Sequence, residues 1–499
     1  MYWIIAEGRL YYMMQWNMEV SLVMFIGRGY YLDSLMALWR KPSSSMVVVS
    51  GRRRIGKSTL VEEFASRSKC RFIEIEGLAP DGKMTNQKQI DNFCERLAQA
   101  TGLPEAKADN WPKAFDALDA AIAKNVKTIV FLDEISWMGG YDKSFAAFLK
   151  NAWDTQFSRH DKLIFAIAGS VSSWIQDNVL RSKAFVGRIS LDITLPELPL
   201  AECLEFWGRK ANRVAMREVL DILSVTGGVP KYLQEIDPSL SAEENIRRLC
   251  FLPEGYLFKE FDSIFRDTFG QDPVRLEVLT ALSNGPASLS ELAKTLKMEA
   301  NGHLSGVLRD LTLAGFISAN AGKNPETGRA VREVQYRLQD NYVRFYLKII
   351  EPRKTAIQDG LFRFVSLEQL PGWEAIMGLQ FENLVLNNIK ALCPLIGLDG
   401  KLITSAAPYS RRRSGDSAGV QVDLLIQTPK SVYLVEIKRR EHITVEIEGE
   451  MEAKVAKLRL PKGISVRTVL VYDGSIAPEV EENGYFDYLV PVKQWFNMK

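Results

Sequence analysis

A short glycine-rich segment carries the residue types that bind a polyphosphate. Residues 46–50 predict a buried strand before it, and the residues after it have helical spacing. Two glycines let backbone N–H groups point inward, and the start of a helix adds a positive dipole. The segment is Gly51, Arg52, Arg53, Arg54, Ile55, Gly56, Lys57, Ser58 and Thr59. We predict a phosphate-binding loop, with a strand-to-helix turn that binds nothing as the alternative.

Four residues have predicted roles in the chemistry at this loop. The Lys57 ammonium can reach the β- and γ-phosphates, and the Ser58 hydroxyl can ligate a Mg²⁺ ion that bridges them. Asp133 and Glu134 end the apolar run at 127–132. We expect Asp133 to hold Mg²⁺ through water and Glu134 to polarise the attacking water. The alternative is two solvated acids at the end of a strand.

Other residues are weaker candidates for the same site. Ser170 follows a third apolar run, where it can hydrogen-bond the γ-phosphate or only form a turn. Arg188 and Arg181 can neutralise transition-state charge, within one chain or from a neighbouring subunit, or they can be surface charges. Pro230 follows two glycines, where it can pack against a purine ring or only begin a helix.

A second set of reactive residues lies nearer the carboxyl end. Asp423 and Glu436 fall on two predicted strands of a hairpin, and Lys438 shares a strand face with Glu436. Asp423, Glu436 and the Ile437 carbonyl can bind Mg²⁺, and Lys438 can orient an attacking water. A solvated strand with alternating side chains gives the same pattern. The residues that could add a ligand or a phosphate contact are Glu382, Lys454 and Lys457.

Composition narrows the class of protein. The 499 residues suggest about three domains, and 46% hydrophobic with 25% charged residues is typical of a globular protein. The net charge of +2 means that nucleic-acid binding must come from local patches. The arginines at 411–413, in a predicted loop ahead of Asp423, and those at 439–440 would surround that site with positive charge suited to a phosphate backbone, and a solvated basic loop is the alternative. Five cysteines without a CxxC pair favour a reducing cytoplasm. No apolar run approaches the ~20 residues that span a membrane.

The pattern after the loop alternates between strands and helices. Apolar strands at 71–75, 127–132 and 163–170 are separated by helices at 86–100, 112–124 and 143–157. This order predicts an α/β fold with a parallel sheet that helices cover on both faces. Ligands then bind at the carboxyl ends of the strands, where Gly51, Asp133 and Ser170 lie.

The downstream half has a different pattern. Helices at 273–283, 289–297 and 302–313, the second with a Ser288–Glu291 capping box, precede two strands and predict a winged helix-turn-helix. A helix from 373 to about 392, strands at 420–426 and 432–438, a helix at 444–459 and a strand at 467–472 follow. Outward polar candidates on the third helix are His303, Ser305 and Arg309. We predict an N-terminal extension at 1–23, a core at 24–198, a helical lid at 199–268, a winged helix at 269–350 and an α/β domain at 351–499.

Five short motifs occur together and in order. They are the Phe-Ile-Gly-Arg at 25–28, the loop at 51–58, the Leu-Asp-Glu at 132–134, the Ala-Gly-Ser at 168–170 and the Gly-Gly-Val-Pro at 227–230. From about residue 24 to the end, the chain resembles the prokaryotic, largely archaeal ATPase family in the AAA+/STAND group of P-loop ATPases. The resemblance implies an ASCE-type core, a helical lid and an ATP-driven switch. It also implies a winged helix and a C-terminal domain similar to the PD-(D/E)XK nucleases.

We therefore predict a cytoplasmic ATPase that uses ATP and Mg²⁺. It would couple ATP binding and hydrolysis to a DNA-binding winged helix and a nuclease-like domain, which would add a metal-dependent DNA endonuclease activity. The alternative is an ATP-dependent signalling or regulatory switch whose C-terminal domain is a scaffold. The expected partners are ATP, DNA, and another copy of the chain or a second protein, with no membrane.

Overall fold

The computed structural model describes residues 2–6, 9–13, 22–123, 125–170, 173–269, 272–331, 333–411 and 419–497. They fall into two compact units, Met1–Pro196 and Glu197–Lys499. Of the arginines predicted to form a basic loop, those at positions 412 and 413 lie outside the described residues.

The first unit contains eight strands and seven α-helices among its described residues. The strands are β1 (Tyr2–Ala6), β2 (Arg9–Met13), β3 (Leu22–Met24), β4 (Ser45–Gly51), β5 (Arg71–Glu76), β6 (Thr128–Asp133), β7 (Leu163–Ser170) and β8 (Ile189–Leu195). The helices are α1 (Gly29–Trp39), α2 (Lys57–Ser68), α3 (Asn86–Thr101), α4 (Trp111–Ala121), α5 (Ile135–Gly139), α6 (Phe145–Thr155) and α7 (Ser173–Ile175). Short 3-10 or π segments lie at Phe157–Arg159, Gln176–Leu180 and Lys183–Phe185.

Five parallel strands form the main sheet of this unit in the order β5, β6, β7, β4, β8. Side chains of β4 alternate between two cores: Met46 and Val48 pack on one face, and Val47 and Val49 pack on the other. Helices therefore cover both faces, and the expectation of a parallel α/β sheet is confirmed. Because β7 lies between β4 and β6, the loop after β4 and the acids after β6 are separated by one strand.

Two parts of this unit differ from the sequence interpretation. We expected β7 to complete the sheet, but β8 adds a fifth strand beside β4. Its residues alternate between exposed and less exposed positions, as in a strand with one open edge, so it lacks the continuous apolar run of the inner strands. The segment at 1–23 had no clear period, yet β1, β2 and β3 pair as an antiparallel sheet.

The second unit contains the remaining strands and helices. Its helices before the C-terminal sheet are α8 (Leu200–Cys203), α9 (Met216–Thr226), α10 (Pro230–Leu233), α11 (Ala242–Cys250), α12 (Tyr256–Phe269), α13 (Pro273–Ser283), α14 (Leu289–Leu296), α15 (Gly302–Leu313), α16 (Asn341–Phe345), α17 (Lys354–Gln358), α18 (Trp373–Asn387) and α19 (Ile389–Leu395). Its strands are β9 (Ala287–Ser288), β10 (Ile317–Asn320), β11 (Gln335–Leu338), β12 (Ser405–Arg411), β13 (Val420–Gln427), β14 (Ser431–Ile443), β15 (Ser465–Ile476) and β16 (Tyr488–Pro491). The last helices are α20 (Glu446–Lys457) and α21 (Pro478–Glu482), and 3-10 or π segments lie at Leu204–Lys210, Tyr346–Ile350, Glu351–Arg353, Leu367–Gln369 and Val492–Asn497.

Helices α13, α14 and α15 precede a small antiparallel sheet in which β11 lies between β10 and β9. Helix α14 begins with the expected capping box, in which the Ser288 side chain accepts from the Glu291 amide and the Glu291 carboxylate accepts from the Ser288 amide. The capping prediction is confirmed, and the reciprocal hydrogen bonds fix where α14 begins.

The C-terminal sheet is mixed, in the order β12, β13, β14, β15, β16. The pairs β12–β13 and β13–β14 are antiparallel, and the pairs β14–β15 and β15–β16 are parallel. We had expected one helix from 373 to about 392, but α18 ends at Asn387 and α19 starts anew, because Asn388 leaves helical geometry at φ −115° and ψ 27°. We had also placed Arg411 in a loop, whereas it ends β12.

No α-helix among the described residues is both long and apolar enough to cross a membrane.

Candidate functional site

The loop between β4 and α2 has the backbone of a phosphate-binding turn. Gly51 (φ 156°), Arg54 (φ 67°) and Gly56 (φ 86°) all have positive φ. A Cβ on Gly51 would lie 3.0 Å from the Ile55 Cγ2 and 3.0 Å from the Leu195 carbonyl oxygen, and only glycine avoids both. Gly56 is the residue before α2, so the N–H groups of the first turn open towards the loop.

Lys57 is held inside this loop. Its Nζ donates to the carbonyl oxygens of Arg52 at 3.2 Å and Gly51 at 3.4 Å, and the residue is only 6% exposed. Burial lowers the pKa of Lys57, while Glu134 and Asp133 act in the opposite direction. The ammonium is therefore a buried cation whose nearby compensating charges are the two acids.

Ser58 and the two acids meet at the end of β6. The Ser58 hydroxyl donates to the Asp133 carboxylate, and the other Asp133 oxygen accepts from the Glu134 amide at 2.8 Å. Glu134 has φ 47°, a conformation that turns the chain directly from β6 into α5. The two oxygens that we expect around Mg²⁺, one from Ser58 and one from Asp133, thus converge on one point.

The Glu134 carboxylate lies towards β7, where it accepts from the Ser170 amide at 3.4 Å. Burial raises the pKa of Glu134, and Lys57 opposes this rise. The Ser170 hydroxyl is buried and has no hydrogen-bond partner among the described residues. Ser170 therefore has a donor available beside the group that we expect to polarise water.

Three further carboxylates surround this site and were missed by the sequence interpretation. Burial raises the pKa of Glu62, Glu74 and Glu76, and that of Glu74 rises to about 7. Glu76 pairs with Asp133 across the β5–β6 register, and Glu74 lies two residues earlier on the same strand face. The signal was in the sequence: acids alternate at the end of the strand that neighbours Asp133.

Arg28, the last residue of the motif at 25–28, braces the loop, a role that the sequence interpretation did not predict. It precedes α1 with φ 64° and is 5% exposed. Its guanidinium donates to the Ile55 carbonyl at 3.3 Å and to the Pro196 carbonyl at 2.6 Å. One buried cation thus connects the phosphate loop to the residue that follows β8.

The other loop residues point in different directions. Arg53 lies over the Trp137 ring, with its Cζ 5.0 Å from the ring centroid, and Arg52 is buried. Arg54 and Thr59 are exposed. Trp137 belongs to α5, which begins directly after Glu134, so Arg53 connects the loop to this turn.

Arg188 is not brought to the loop of its own chain. It precedes β8, whose opposite end carries Leu195 beside Gly51, roughly 20 Å away at ~3.3 Å per residue. Its guanidinium forms two hydrogen bonds with Asp154, of 2.6 and 2.8 Å, which lower the pKa of Asp154 to about 2. Arg181 follows a π segment and is exposed. Of the predicted alternatives for Arg188, action on the loop of its own chain does not fit this position, whereas action on a neighbouring subunit and a surface charge both do.

Pro230 begins α10 in the second unit. The preceding glycines pack closely against the start of that unit. A Cβ on Gly228 would lie 2.3 Å from the Leu198 carbonyl oxygen, and the Gly228 amide donates to the Glu197 carboxylate at 3.0 Å. Gly228 is therefore required for close packing.

The C-terminal residues do come together. Asp423 on β13 accepts from the Ile437 amide at 2.9 Å, and burial followed by the Glu436 charge raises the pKa of Asp423. Glu436 is 1% exposed and contacts two cations, the Lys438 Nζ at 2.8 Å and Lys454 of α20. Burial acts to lower the pKa of Lys438, but its hydrogen bond to Glu436 and the nearby acids raise it above the usual value. Lys438 therefore remains protonated and can orient water without accepting a proton.

Glu382 of α18 belongs to the same cluster. Burial, then Asp423, raises its pKa to about 7, and Arg344 and Arg337 oppose this rise. Oxygen donors of this kind suit Mg²⁺ or Mn²⁺. Among the described residues, however, no group of three or more histidine, cysteine, aspartate or glutamate side chains is arranged to hold a metal ion. A metal here would rest on Asp423, Glu436 and the Ile437 carbonyl.

We expected Arg439 to lie beside this cluster and add positive charge around it, and this prediction is wrong. Its side chain is only 3% exposed and contacts Asp221 of α9, because alternation along β14 turns it away from Glu436 and Lys438. Arg440 is 47% exposed and lies 3.8 Å from Glu450. Arg411 donates to the Lys457 carbonyl at 2.6 Å. The α15 residues proposed to face outward, His303, Ser305 and Arg309, are exposed.

Comparison with known proteins finds a family match for one segment of the chain. Residues 25–236 match the model of an ATPase domain predominantly from Archaea. An uncharacterized protein of Methanocaldococcus jannaschii is 21% identical over 426 residues, which is 84% of this chain and 88% of that protein. A short uncharacterized ATP-binding protein of the same organism is 32% identical over 55 residues, which is 11% of this chain and 93% of that protein.

Among solved structures, a Walker-type ATPase of Pyrococcus abyssi aligns with a TM-score of 0.44 at 18% identity, over 65% of this chain and 96% of that one. The matched family segment contains the loop, both acids, Ser170 and Pro230. Residues 25–236 therefore belong to the family of P-loop ATPase domains found predominantly in Archaea.

Proposed function

We propose that the first unit binds Mg²⁺-ATP and hydrolyses it with Lys57, Ser58, Asp133 and Glu134. The observation that carries this proposal is the contact of the Ser58 hydroxyl with the Asp133 carboxylate beside a buried lysine. Lys57 and the loop amides would bind the β- and γ-phosphates. Ser58 and Asp133 would hold Mg²⁺, which neutralises charge on the phosphates when bound.

Glu134 is the group that we propose for positioning and polarising the attacking water. Its pKa is raised by burial, and a base with a raised pKa accepts a proton more readily while it stays ionised. The Ser170 hydroxyl, which has no partner among the described residues, would donate to the γ-phosphate or to that water. Glu134, directly after β6, and Ser170, at the end of β7, would thus both act where water attacks the γ-phosphate.

The test is nucleotide binding and turnover in Lys57→Ala. We expect this variant to lose ATP binding, or to lose turnover, because it removes the buried ammonium that contacts the loop carbonyls of Gly51 and Arg52. Lys143→Ala is the matched control, since Lys143 is an exposed lysine of the same unit. Unchanged hydrolysis in Lys57→Ala would remove the assignment of this site.

We further propose that the second unit contains a winged helix that binds DNA and a metal-dependent nuclease domain similar to the PD-(D/E)XK enzymes. The order of α18, β13, β14, α20 and β15, together with the proximity of Asp423, Glu436 and Lys438, supports this proposal. The helices of the predicted lid at 199–268, the small sheet of β9–β11 and the mixed sheet of β12–β16 share one hydrophobic core. The residues of this core extend from Leu198 to Phe496. A nucleotide-dependent movement of the helical segment would therefore carry the mixed sheet with it.

A plasmid assay tests the nuclease proposal. Full-length protein is incubated with supercoiled plasmid, ATP and either Mg²⁺ or Mn²⁺. We expect metal-dependent nicking that Asp423→Ala abolishes while its ATPase rate stays at the wild-type value. Nicking that persists in Asp423→Ala would place the activity elsewhere.

The second candidate function is an ATP-dependent regulatory switch in which the mixed sheet is a scaffold. One observation favours it: the Glu436 carboxylate is already neutralised by contacts with both Lys438 and Lys454. Such a pairing compensates the buried carboxylate without any metal. ATP hydrolysis that is unaffected by DNA, with no cleavage in either metal, would favour the switch over the nuclease.

A further inference from the structure

Arg439 follows directly after Lys438 but faces the opposite side of β14. Glu436 and Lys438 face α20, which supplies Lys454 to Glu436 and Glu450 to Lys438. Ile437 and Arg439 face the other way, and Ile437 packs in the large core of the second unit. The Arg439 side chain is only 3% exposed, so its charge must be compensated by groups inside that core.

The compensating groups belong to α9, β15 and α18, and the α18 group is the Glu374 carboxylate, 3.8 Å from the Arg439 Nη1. Arg439 contacts Asp221 of α9 through Nη2, and its Nε lies 3.6 Å from the Asp473 carboxylate of β15. Asp473 is also the residue opposite Arg439 in the β14–β15 register. Arg217, one helical turn before Asp221, donates to Asp473 at 3.1 Å. Two arginines and two aspartates therefore alternate between α9 and the sheet, and each acid lies between two cations.

Helix α9 also holds the helix that carries Glu382. The Ser224 carbonyl accepts from the Gln380 Nε2 at 2.7 Å and from the Asn341 Nδ2 at 3.0 Å. Gln380 and Asn341 are fully buried, and Gln380 in turn donates to the Asn341 carbonyl at 2.6 Å. Gln380 lies two residues before Glu382 on α18. Amides at this depth fix the position of α18 against α9, since breaking them would leave buried polar groups without partners.

We propose that α9 is the support on which the carboxylate cluster is assembled, and that Arg439 is a positioning residue for this cluster. The proposal rests on the metal site proposed above. Glu382 and Glu436 lie on different elements, and both elements are tied to one helix at positions three residues apart, Asp221 and Ser224. Loss of the Arg439 contact would free the strand that carries Glu436 and Lys438 to shift relative to α18, whose Glu382 carboxylate adds negative charge beside the proposed ligands Asp423 and Glu436. A metal site tolerates little displacement of its ligands.

The decisive measurement is Mn²⁺ affinity of the full-length protein by calorimetry, without nucleotide. We expect Arg439→Met to weaken Mn²⁺ binding by about 10- to 100-fold, the range for groups that orient metal ligands. Arg467→Met is the matched control, because Arg467 pairs with Asp487 at an exposed position of the same sheet. ATP turnover serves as a second readout, and we expect it to be unchanged in Arg439→Met because the loop residues belong to the first unit.

A second variant keeps the proposal open to refutation if Arg439→Met does not fold. Asp221→Asn keeps the shape of the side chain and removes its charge, so we expect weaker Mn²⁺ binding with a retained ATPase. In the double variant the loss should not exceed that of Arg439→Met alone, because the contact that Asp221→Asn weakens is already absent in Arg439→Met. Wild-type Mn²⁺ affinity in both single variants would overturn the positioning role alone. Absence of Mn²⁺ binding in the wild-type protein would overturn the metal site and this inference together.

Discussion

Ser58 and Asp133, 75 positions apart in the chain, are joined by a hydrogen bond from hydroxyl to carboxylate at the edge of the parallel sheet. Ser58 lies on α2, which follows β4, and Asp133 is the last residue of β6. Strands β4 and β6 are not neighbours, since β7 lies between them. The contact therefore depends on the strand order and on α2 starting at Lys57. It places the proposed metal ligands beside the expected position of the β- and γ-phosphates.

The first prediction concerns Glu134→Gln. We expect ATP binding to be retained and turnover to fall by about 10²- to 10⁴-fold, because glutamine keeps the shape but cannot accept a proton. Binding is measured with a fluorescent ATP analogue, and turnover by phosphate release. Glu105→Gln, at an exposed position, is the control. A Glu134→Gln enzyme with wild-type turnover would show that water is activated by another group.

The second prediction concerns Arg28. In Arg28→Met the carbonyls of Ile55 and Pro196 lose a charged donor, and hydrogen bonds to charged groups contribute about 1.5–3 kcal/mol each. We expect a lower Tm and a higher KM for ATP, since the loop loses a brace. Arg40→Met, in which an exposed arginine at the end of the same helix is changed, should alter neither quantity. Equal Tm and KM in the two variants would contradict the bracing role.

The third prediction is a pH dependence of stability due to Glu74. Its folded-state pKa of about 7 lies above the usual value of 4.5 for a solvated glutamate, so between these values the folded state binds more protons than the unfolded state. Stability should therefore fall as pH rises through this window, by at most about 3 kcal/mol. Glu74→Gln should flatten this part of the curve. Denaturant unfolding in EDTA without nucleotide, from pH 4.5 to 7.5, measures the effect, and identical slopes in both proteins would refute it.

The fourth prediction is that Arg188 acts on the site of a neighbouring subunit. Arg188→Ala should keep ATP affinity and lose turnover by a factor of about 10³ or more, as expected for a residue that neutralises transition-state charge from a second subunit. Mixing it with Lys57→Ala should restore part of the activity, because each variant supplies what the other lacks. Arg181→Ala is the comparison for the other arginine that we named. Full turnover in Arg188→Ala, or no restoration on mixing, would leave Arg188 only its ion pair with Asp154.

Local chemistry in the sequence determined a large part of this protein. Strand β4, the loop glycines and the start of α2 at Lys57 all lie where the pattern predicted them. A buried strand requires apolar residues and a positive φ favours glycine, so both features can be recognised from residue type. The acids after β6 and the capping box of α14 were also readable, since each depends on residues within a few positions. We did not predict strand β8, because an edge strand lacks the continuous apolar run of the inner strands.

Tertiary structure alone decided which distant residues meet. Arg28 braces the loop, Arg188 pairs with Asp154, and Arg439 enters a buried cluster with Asp221, although all three are ordinary arginines in the sequence. A side chain of this length can lie in water or bind a carboxylate, and the choice depends on what the fold brings near it. The contact energies that settle that choice come from partners dozens or hundreds of positions away, so no local pattern contains them.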